Sequence, residues 1–259
     1  DEFEFPEDAP PSRSTRRKHT FPNGCTYMGQ WHGEVPDGEG LQVFKDGSEY
    51  RGEFARGMAS GRGTLDAASG DVYTGAWEED HAHGHGICTS RDGTVHKGQW
   101  CNGMMEGQCT SMFTDGTRFV GQKVEGQKSG YGAYDFTKNA FGSARRGCRY
   151  EGMFAEDTFN GHGIYIWGDG REYEGEWKAG KMHGQGVFTF PDGRKYVGQY
   201  SEDKKNGFGT FDWADGRRYE GEFRDGRQHG SGALTTPDGW IKKGAWNKGE
   251  FLGASKEKR

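Results

Sequence analysis

The chain has 259 residues, a formal net charge of −5, 47 glycines and 14% aromatic residues. Its small net charge and abundant aromatic rings argue against a disordered chain, and its acidic balance disfavours nucleic-acid binding. No apolar run is long enough to span a bilayer as a helix, and five cysteines without CxxC spacing are compatible with a reducing compartment.

Residues 1–20 are predicted to be a charged tail that is disordered or docked on a partner. Residues 1–12 carry five acids and no base, whereas Arg13–Lys18 carries four bases. A polar, proline-containing segment with separated charges is typical of a solvated linker. The alternative is an arm that docks on a partner or on an acidic lipid surface.

From residue 21 the sequence repeats with a period of 23 residues. Each unit opens with an aromatic–x–glycine–x–aromatic triplet, and one interval, from Phe119 to Tyr150, is eight residues longer. A fixed period in this range is the mark of a repeat array in which each unit stacks on its neighbours. The units begin at Tyr27, Tyr50, Tyr73, His96, Phe119, Tyr150, Tyr173, Tyr196, Tyr219 and Lys242.

Within a unit the spacing predicts two β-strands joined by a turn. The aromatic residues and the glycine of the triplet lie at i, i+2 and i+4, which places them on one face of a strand. In the second strand, Gly184, Gly186, Phe188 and Phe190 again alternate by two. The positions between them are mostly polar and acidic, so the sequence predicts one aromatic face and one hydrated face.

Asp-Gly pairs recur once in most units and are predicted to supply the positive-φ positions of tight hairpin turns. They are Asp46-Gly47, Asp92-Gly93, Asp115-Gly116, Asp169-Gly170, Asp192-Gly193, Asp215-Gly216 and Asp238-Gly239. No amphipathic helix is visible, so the predicted fold class is all-β.

The unit YEGEWKAGKMHGQGVFTFPDGRK at residues 173–195 resembles the MORN (membrane occupation and recognition nexus) repeat, and the resemblance covers roughly residues 21–250. It implies an elongated, twisted, single-layer array of about nine to ten antiparallel β-hairpins with an aromatic-lined groove. Members of this family resemble scaffolds and adaptors of cilia, the cytoskeleton and membrane contact sites. The resemblance also implies two arrangements found among family members: a homodimer that pairs through end repeats, and a segment of a longer enzyme.

The chain departs from the family pattern at several places. His96 and Lys242 replace the leading aromatic residue, Lys123 replaces the second one, Cys109 replaces a paired glycine and Glu34 a turn glycine. We therefore expect an irregular joint near the eight-residue insertion. The predicted segments are a tail at 1–20, a first subarray at 21–137, an insertion at 138–147, a second subarray at 148–254 and a basic end at 255–259.

The cluster His81, His83, His85 and Cys88 has the composition of a metal site. However, His83 occupies the same repeat position as His183 and His229, so a structural role explains it better. Zinc needs about four converging nitrogen or sulfur ligands. His81 and His85, with Cys101 and Cys109 of the adjoining unit, could converge only if the hairpin curls. We expect no metal, no cofactor and no catalytic constellation, and hence no enzyme.

The leading hypothesis is a non-catalytic scaffold that binds a segment of a partner protein in a larger complex. A one-layer sheet leaves aromatic surface accessible, and such surface marks partner sites. The predicted groove residues are Tyr27, Trp31, Tyr50, Phe54, Tyr73, Trp77, Trp100, Tyr150, Phe154, Trp167, Tyr173, Trp177, Phe190, Tyr196, Tyr200, Trp213, Tyr219 and Phe223.

Two alternatives remain open: a module that tethers to phosphoinositide or acidic membranes, and a targeting segment of a longer enzyme. The first would rely on a cluster of basic side chains. We expect an intracellular location, in the cytoplasm, cytoskeleton or cilium, with a possible homodimer and no nucleic acid. The candidate lipid contacts are Arg13, Arg16, Arg17, Lys18, Arg145, Arg146 and Arg149.

Overall fold

The computed structural model describes residues 13–138 and 144–258, in which all the elements are β-strands. Two compact units are present, Asp1–Thr114 with Lys123–Gly126 and Asp115–Gln122 with Gln127–Arg259. The first unit contains β1 (Ser14–Thr20), β2 (Thr26–His32), β3 (Val35–Val43), β4 (Glu49–Ala55), β5 (Met58–Asp66), β6 (Val72–Glu78), β7 (His81–Thr89), β8 (Val95–Cys101) and β9 (Met104–Met112).

The division between the units falls within β10 (Arg118–Val124). The second unit contains β11 (Gln127–Lys138), β12 (Ala144–Ala155), β13 (Thr158–Ile166), β14 (Glu172–Lys178), β15 (Lys181–Thr189), β16 (Lys195–Ser201), β17 (Lys204–Asp212), β18 (Arg218–Arg224), β19 (Arg227–Thr235), β20 (Trp240–Asn247) and β21 (Glu250–Lys258).

Consecutive strands pair antiparallel within each unit, as in β4–β5 and β5–β6 of the first and β14–β15 and β15–β16 of the second. In the repeat that opens at Tyr173, Gly175 pairs with Gly186, and a β-bulge follows before Trp177 pairs with Met182. The bulge recurs at this place in most hairpins. The predicted all-β array of hairpin repeats is confirmed.

Each repeat has a tight turn within its hairpin and a longer loop to the next hairpin, and the Asp-Gly pairs lie in the loop rather than in the predicted tight turn. The tight turn inside most hairpins has two residues at positive φ, such as Glu79 at 46° and Asp80 at 66°. The Asp-Gly pairs lie instead in the longer loops between hairpins, where only the glycine has a positive φ, as at Gly47 with 92°. The aspartate has another role there, because its carboxylate accepts a hydrogen bond from a backbone N–H two residues on, as Asp46 does from Ser48.

Successive hairpins are also joined along the row of tight turns. The backbone N–H of Asp80 donates to the carbonyl of Ala59 at 3.0 Å, and the N–H of Ala59 donates back to the Asp80 carboxylate at 2.7 Å. Asp203 and Met182 repeat this reciprocal pair in the second unit. These bonds satisfy backbone groups that would otherwise be left open at the strand ends.

In the repeats that open with tyrosine, the tyrosine ring packs against the paired glycines of the two strands. A Cβ built at Gly186 would collide with the ring of Tyr173, whose own side chain is fully buried. The Tyr173 hydroxyl donates to the carbonyl of Glu176 at 2.9 Å, and the indole N–H of Trp177 donates to the carbonyl of Gly163 at 3.1 Å. The ring thus fills the space that a side chain would need, and its polar atom is satisfied at the bulge.

The triplet aromatics form a continuous edge-to-face ladder in each unit. Every tyrosine that opens a repeat packs against the second aromatic of its own triplet and against that of the next repeat. In the first unit the ladder runs Trp31, Tyr27, Phe54, Tyr50, Trp77, Tyr73, Trp100, with ring centroids 4.9–5.2 Å apart. In the second it runs Phe154, Tyr150, Trp177, Tyr173, Tyr200, Tyr196, Phe223, Tyr219, Trp246, at 5.0–5.6 Å.

The insertion lengthens the strand pairing that joins two successive hairpins. β11 and β12 have 12 residues each, and Lys138 pairs with Ala144 at their ends. Residues 139–143 lie outside the described residues. The subarrays expected at 21–137 and 148–254 stay a prediction.

Part of the segment expected to be a tail forms a strand. β1 pairs with β2, and two bases at its start bond acids of the first hairpin: Arg13, just before β1, bonds Asp37 at 2.8 Å, and Arg16 of β1 bonds Glu34 at 3.0 Å. Residues 1–12 lie outside the described residues. At the other end, β21 extends the array to Lys258, beyond the expected boundary at 254.

Candidate binding surface

Most of the predicted groove residues are core residues. The four that keep accessible surface, each half-buried, are Trp100, Trp167, Phe190 and Trp213. The fourteen that are buried are Tyr27, Trp31, Tyr50, Phe54, Tyr73, Trp77, Tyr150, Phe154, Tyr173, Trp177, Tyr196, Tyr200, Tyr219 and Phe223.

The aromatic ladder explains this division, because each ring is covered by rings of the same and the next repeat. We expected a one-layer sheet to leave core and contact surface inseparable. The edge-to-face packing separates them, with Tyr173 fully buried and Trp177 only 6% exposed. Whether any of these residues binds a partner stays a prediction.

Three of the accessible aromatics form a row on the second unit. Trp167, Phe190 and Trp213 open three successive loops at the 23-residue period, and we call them the outer row. Each packs on an aromatic residue two positions earlier, with centroids 4.6 Å from Tyr165 to Trp167 and 4.7 Å from Phe188 to Phe190. The outer row therefore lies on a rigid aromatic support.

An arginine side chain lies over each ring of the outer row. The guanidinium carbon of Arg171 lies 5.3 Å from the Trp167 ring centroid, and Arg194 lies 4.4 Å from that of Phe190. The same arrangement recurs at Trp213, where Arg217 lies at 5.1 Å. This is the geometry of a cation–π contact.

An aspartate two residues before each arginine holds it in place. Arg171 bonds Asp169 and Arg194 bonds Asp192, each at 2.8 Å. The backbone N–H of Arg171 lowers the pKa of Asp169, and the Arg194 side chain lowers the pKa of Asp192. The row thus presents aromatic rings edged by arginines that are fixed rather than free.

Sequence reasoning missed these arginines. Their signal is an aromatic-x-Asp-Gly-Arg loop in three consecutive repeats, whereas the predicted turn depends only on its Asp-Gly pair. The corresponding loop positions of the first unit are interrupted, since Phe44 is followed by Ala67 and Ser90 one and two repeats later. The continuous outer row belongs to the second unit.

The basic residues suggested as lipid contacts are partly neutralised. Arg13 and Arg16 bond acids as described above, and Arg149 bonds Asp135 at 2.6 Å and Glu151 at 2.9 Å. The side chains of Arg145 and Arg146 lie outside the described residues, and Arg17 and Lys18 are exposed. Contact of these residues with lipid stays a prediction.

The histidine cluster makes local bonds. Nδ1 of His81 lies 2.7 Å from the carbonyl of Glu79, His83 lies 3.3 Å from the Glu78 carboxylate, and His85 lies 2.8 Å from the Gln99 amide. Within the ranges that the structure describes, no group of three or more histidine, cysteine or acidic side chains could hold a metal ion. All five cysteines fall in these ranges and are free thiols.

A stack of β-hairpins with a 23-residue period and an aromatic ladder defines a β-hairpin repeat protein, the architecture of a binding module. The family model described as MORN repeat matches nine segments that cover most of the chain: 27–49, 50–72, 73–95, 96–118, 119–140, 150–170, 173–193, 196–217 and 219–241. The chain belongs to the MORN repeat family.

Comparison with solved structures gives only distant likenesses. The TCP10 domain of Danio rerio CPAP in complex with a STIL peptide is 13% identical, with 96% of this chain and 100% of that chain covered and a TM-score of 0.30. The SAS-4 (dCPAP) TCP domain of Drosophila melanogaster with a proline-rich motif of Ana2 is 11% identical, with 71% and 90% covered and a TM-score of 0.38. At these TM-scores neither likeness carries a functional argument.

The comparison with curated proteins gives no match. A search of the described residues for a helix with the length and hydropathy needed to cross a membrane finds none.

Proposed function

We propose that the chain is a non-catalytic binding module that holds a segment of a partner protein along the outer row of the second unit. It would act within a larger intracellular assembly, of which a cytoskeletal or ciliary one fits the family resemblance. MORN repeats generally serve as non-catalytic binding modules, which supports this proposal. Pairing of two copies through end repeats stays a prediction.

The observation that carries the proposal is the row of half-exposed rings at Trp167, Phe190 and Trp213. Large aromatic anchors on a rigid support are the residues that contribute most to binding energy at protein interfaces. Their arginines add donors in fixed positions for the carbonyl or carboxylate groups of a bound segment. We do not favour the membrane alternative, because Arg13, Arg16 and Arg149 already bond acids.

The test compares affinity purifications of the full chain and of the double variant Trp167→Ala/Trp213→Ala, followed by quantitative mass spectrometry. We expect the variant to lose the specific partner proteins, because both rings leave the surface without disturbing the buried ladder. Phe44→Ala is the matched control: Phe44 occupies the same repeat position in the first unit and is 36% exposed.

Thermal unfolding and circular dichroism must first show that both variants are folded. Recovery of the same proteins at the same levels by the wild type and the double variant would refute the proposal. Truncation of Trp177 or Tyr196 is unsuitable here, because these residues are 6% and 0% exposed and belong to the core.

A further inference from the structure

One repeat position, the second residue of the strand that follows the tight turn, faces the groove beside the aromatic ladder. It is apolar in most repeats but holds a lysine in two, Lys128 and Lys205. In chain order it is occupied by Pro36, Ala59, Ala82, Met105, Lys128, Phe159, Met182, Lys205, Gln228 and Phe251.

Lys128 is neutralised by a carboxylate of the next hairpin. Its ammonium lies 2.7 Å from the carboxylate of Asp157 and 5.8 and 5.7 Å from the ring centroids of Phe119 and Tyr134. Asp157 is the second residue of its tight turn, with φ of 64°. The aromatic rings and the aspartate together offset the cost of removing this cation from water.

Lys205 has the same aromatic surroundings without the carboxylate. Its ammonium lies 4.2 Å from the ring centroid of Phe211 and 5.1 Å from that of Tyr196. The turn position that Asp157 fills beside Lys128 is filled here by Gly226. Within residues 13–138 and 144–258, no acidic side chain is paired with the Lys205 ammonium.

This half-buried cation is costly in the free protein. Burial, together with the nearby Arg194 guanidinium, lowers the pKa of Lys205 to about 8. A desolvated ammonium without a counterion is stabilised by an anion that enters its site.

A cavity of about 240 Å³ opens at Lys205 and provides space for such an anion. Arg227 is exposed at its edge, and no ion pair of Arg227 is found in the described part of the chain. The Gln228 amide adds a further donor, and Trp213 connects the cavity to the outer row. The apolar part of the lining comes from Phe211, Trp213 and Phe223.

We propose that this cavity binds an aspartate or glutamate side chain of the partner segment, one that lies beside an aromatic or large apolar side chain. The inference rests on the proposed function and specifies the chemistry of the partner: the carboxylate pairs with Lys205 and Arg227, and the neighbouring apolar group packs on Trp213. The partner is therefore an acidic–aromatic segment, complementary to a cationic aromatic cavity.

The test uses fluorescence anisotropy with two labelled peptides and the full chain. One peptide has two glutamates alternating with two phenylalanines, and the other has glutamines in place of the glutamates. We expect the acidic peptide to bind at least about tenfold more tightly, the difference made by one charge-assisted contact.

Gly226→Asp is the decisive variant, because it places next to Lys205 the carboxylate that Asp157 provides to Lys128. Gly226 has φ of 82°, a region that Asp80, Asp157 and Asp203 adopt in the equivalent turns, and a Cβ there meets no atom within 4 Å. We expect this variant to fold and to bind the two peptides equally. Lys205→Met should also abolish the discrimination, and Lys205→Arg should retain it.

Lys128→Met is the matched control and should leave the discrimination unchanged, because Lys128 already has its own carboxylate. The proposal is overturned if the wild type binds both peptides equally or not at all, or if Gly226→Asp still prefers the acidic peptide. If both peptides bind equally and Trp213→Ala weakens both, the outer row remains a binding surface and only the carboxylate site is lost. Loss of the proposed function itself would appear instead in the purification experiment.

Discussion

The seventh and fourth repeats, which open at Tyr173 and His96, form the same hairpin with different cores. In the seventh, Tyr173 lies over the bare backbone of Gly186 and bonds the carbonyl of Glu176. In the fourth, the smaller ring of His96 leaves room for Cys109 at the position of that glycine.

His96 also has a different hydrogen-bond partner from Tyr173. Nδ1 of His96 lies 2.8 Å from the hydroxyl of Ser111, which is 1% exposed and fills the place that Phe188 has in the seventh repeat. We infer that the three differences from the seventh repeat, at His96, Cys109 and Ser111, form one coupled substitution. What the fold requires is a filled volume between ring and facing backbone, rather than a tyrosine or a glycine as such.

The largest effect is expected from adding a methyl group to the regular core. Gly186→Ala places a Cβ against the Tyr173 ring and should destabilise the protein by about 3 kcal/mol, because the ladder on both sides prevents the ring from moving. Chemical denaturation of the full chain followed by tryptophan fluorescence measures this loss.

Cys109→Ala is the control at the same repeat position. It keeps a Cβ that the fourth repeat already accommodates and removes only a thiol, so we expect a loss of about 1 kcal/mol. Equal losses for the two variants would show that ring–glycine contact does not distinguish the repeats.

An intermediate loss of stability is expected when only one of the two positions in the fourth repeat is changed to the residue of the seventh. His96→Tyr alone should cost about 2 kcal/mol, because the larger ring meets Cys109 where the other repeats have glycine. Addition of Cys109→Gly should recover most of this loss, since the ring then lies over bare backbone and its hydroxyl can reach the carbonyl of Gln99, as Tyr73 reaches that of Ala76.

The double-mutant cycle measures the coupling directly. We expect an interaction energy of about 1–2 kcal/mol between the two positions, which is within the range for residues in contact. Additive effects would mean that His96 and Cys109 are independent departures from the pattern.

The period of the sequence predicted the hairpins because alternation by two fixes which residues share a face of a strand. It did not predict which rings remain accessible. Tyr27 and Trp167 both lie on the aromatic face, yet the first is covered by Trp31 and Phe54, whereas the second opens a loop at the edge of the ladder. Burial depends on contacts between repeats, which the pattern of one unit does not contain.

Substitutions that compensate each other on neighbouring strands could not be predicted from the sequence for the same reason. His96 and Cys109 are 13 residues apart and meet only through the bulged pairing of β8 with β9, so the sequence presented them as two separate irregularities. Likewise, the contrast between Lys128 and Lys205 depends on a turn in the following hairpin. Register and side-chain volume, rather than residue type alone, decide these sites.

The smallest expected effect is a difference in the pH dependence of stability, because the fourth repeat has a histidine where the seventh has a tyrosine. Burial lowers the pKa of His96, Lys123 lowers it further, and Asp92 offsets part of this shift. The unfolded chain therefore binds more protons at this residue, so the stability it contributes is complete above the unfolded-state pKa of about 6.5 and is lost as the pH falls below it. Tyr173 at the equivalent position does not titrate in this range.

We thus expect the free energy of unfolding to fall more between pH 7 and pH 5 in the wild type than in the His96→Tyr/Cys109→Gly variant. Denaturation curves at several pH values measure both slopes, and the other eight histidines contribute equally to each. Identical slopes would mean that His96 carries its proton as readily in the folded protein as in the unfolded chain. A steeper slope in the wild type would instead show that the folded fourth repeat favours the neutral form of the His96 ring.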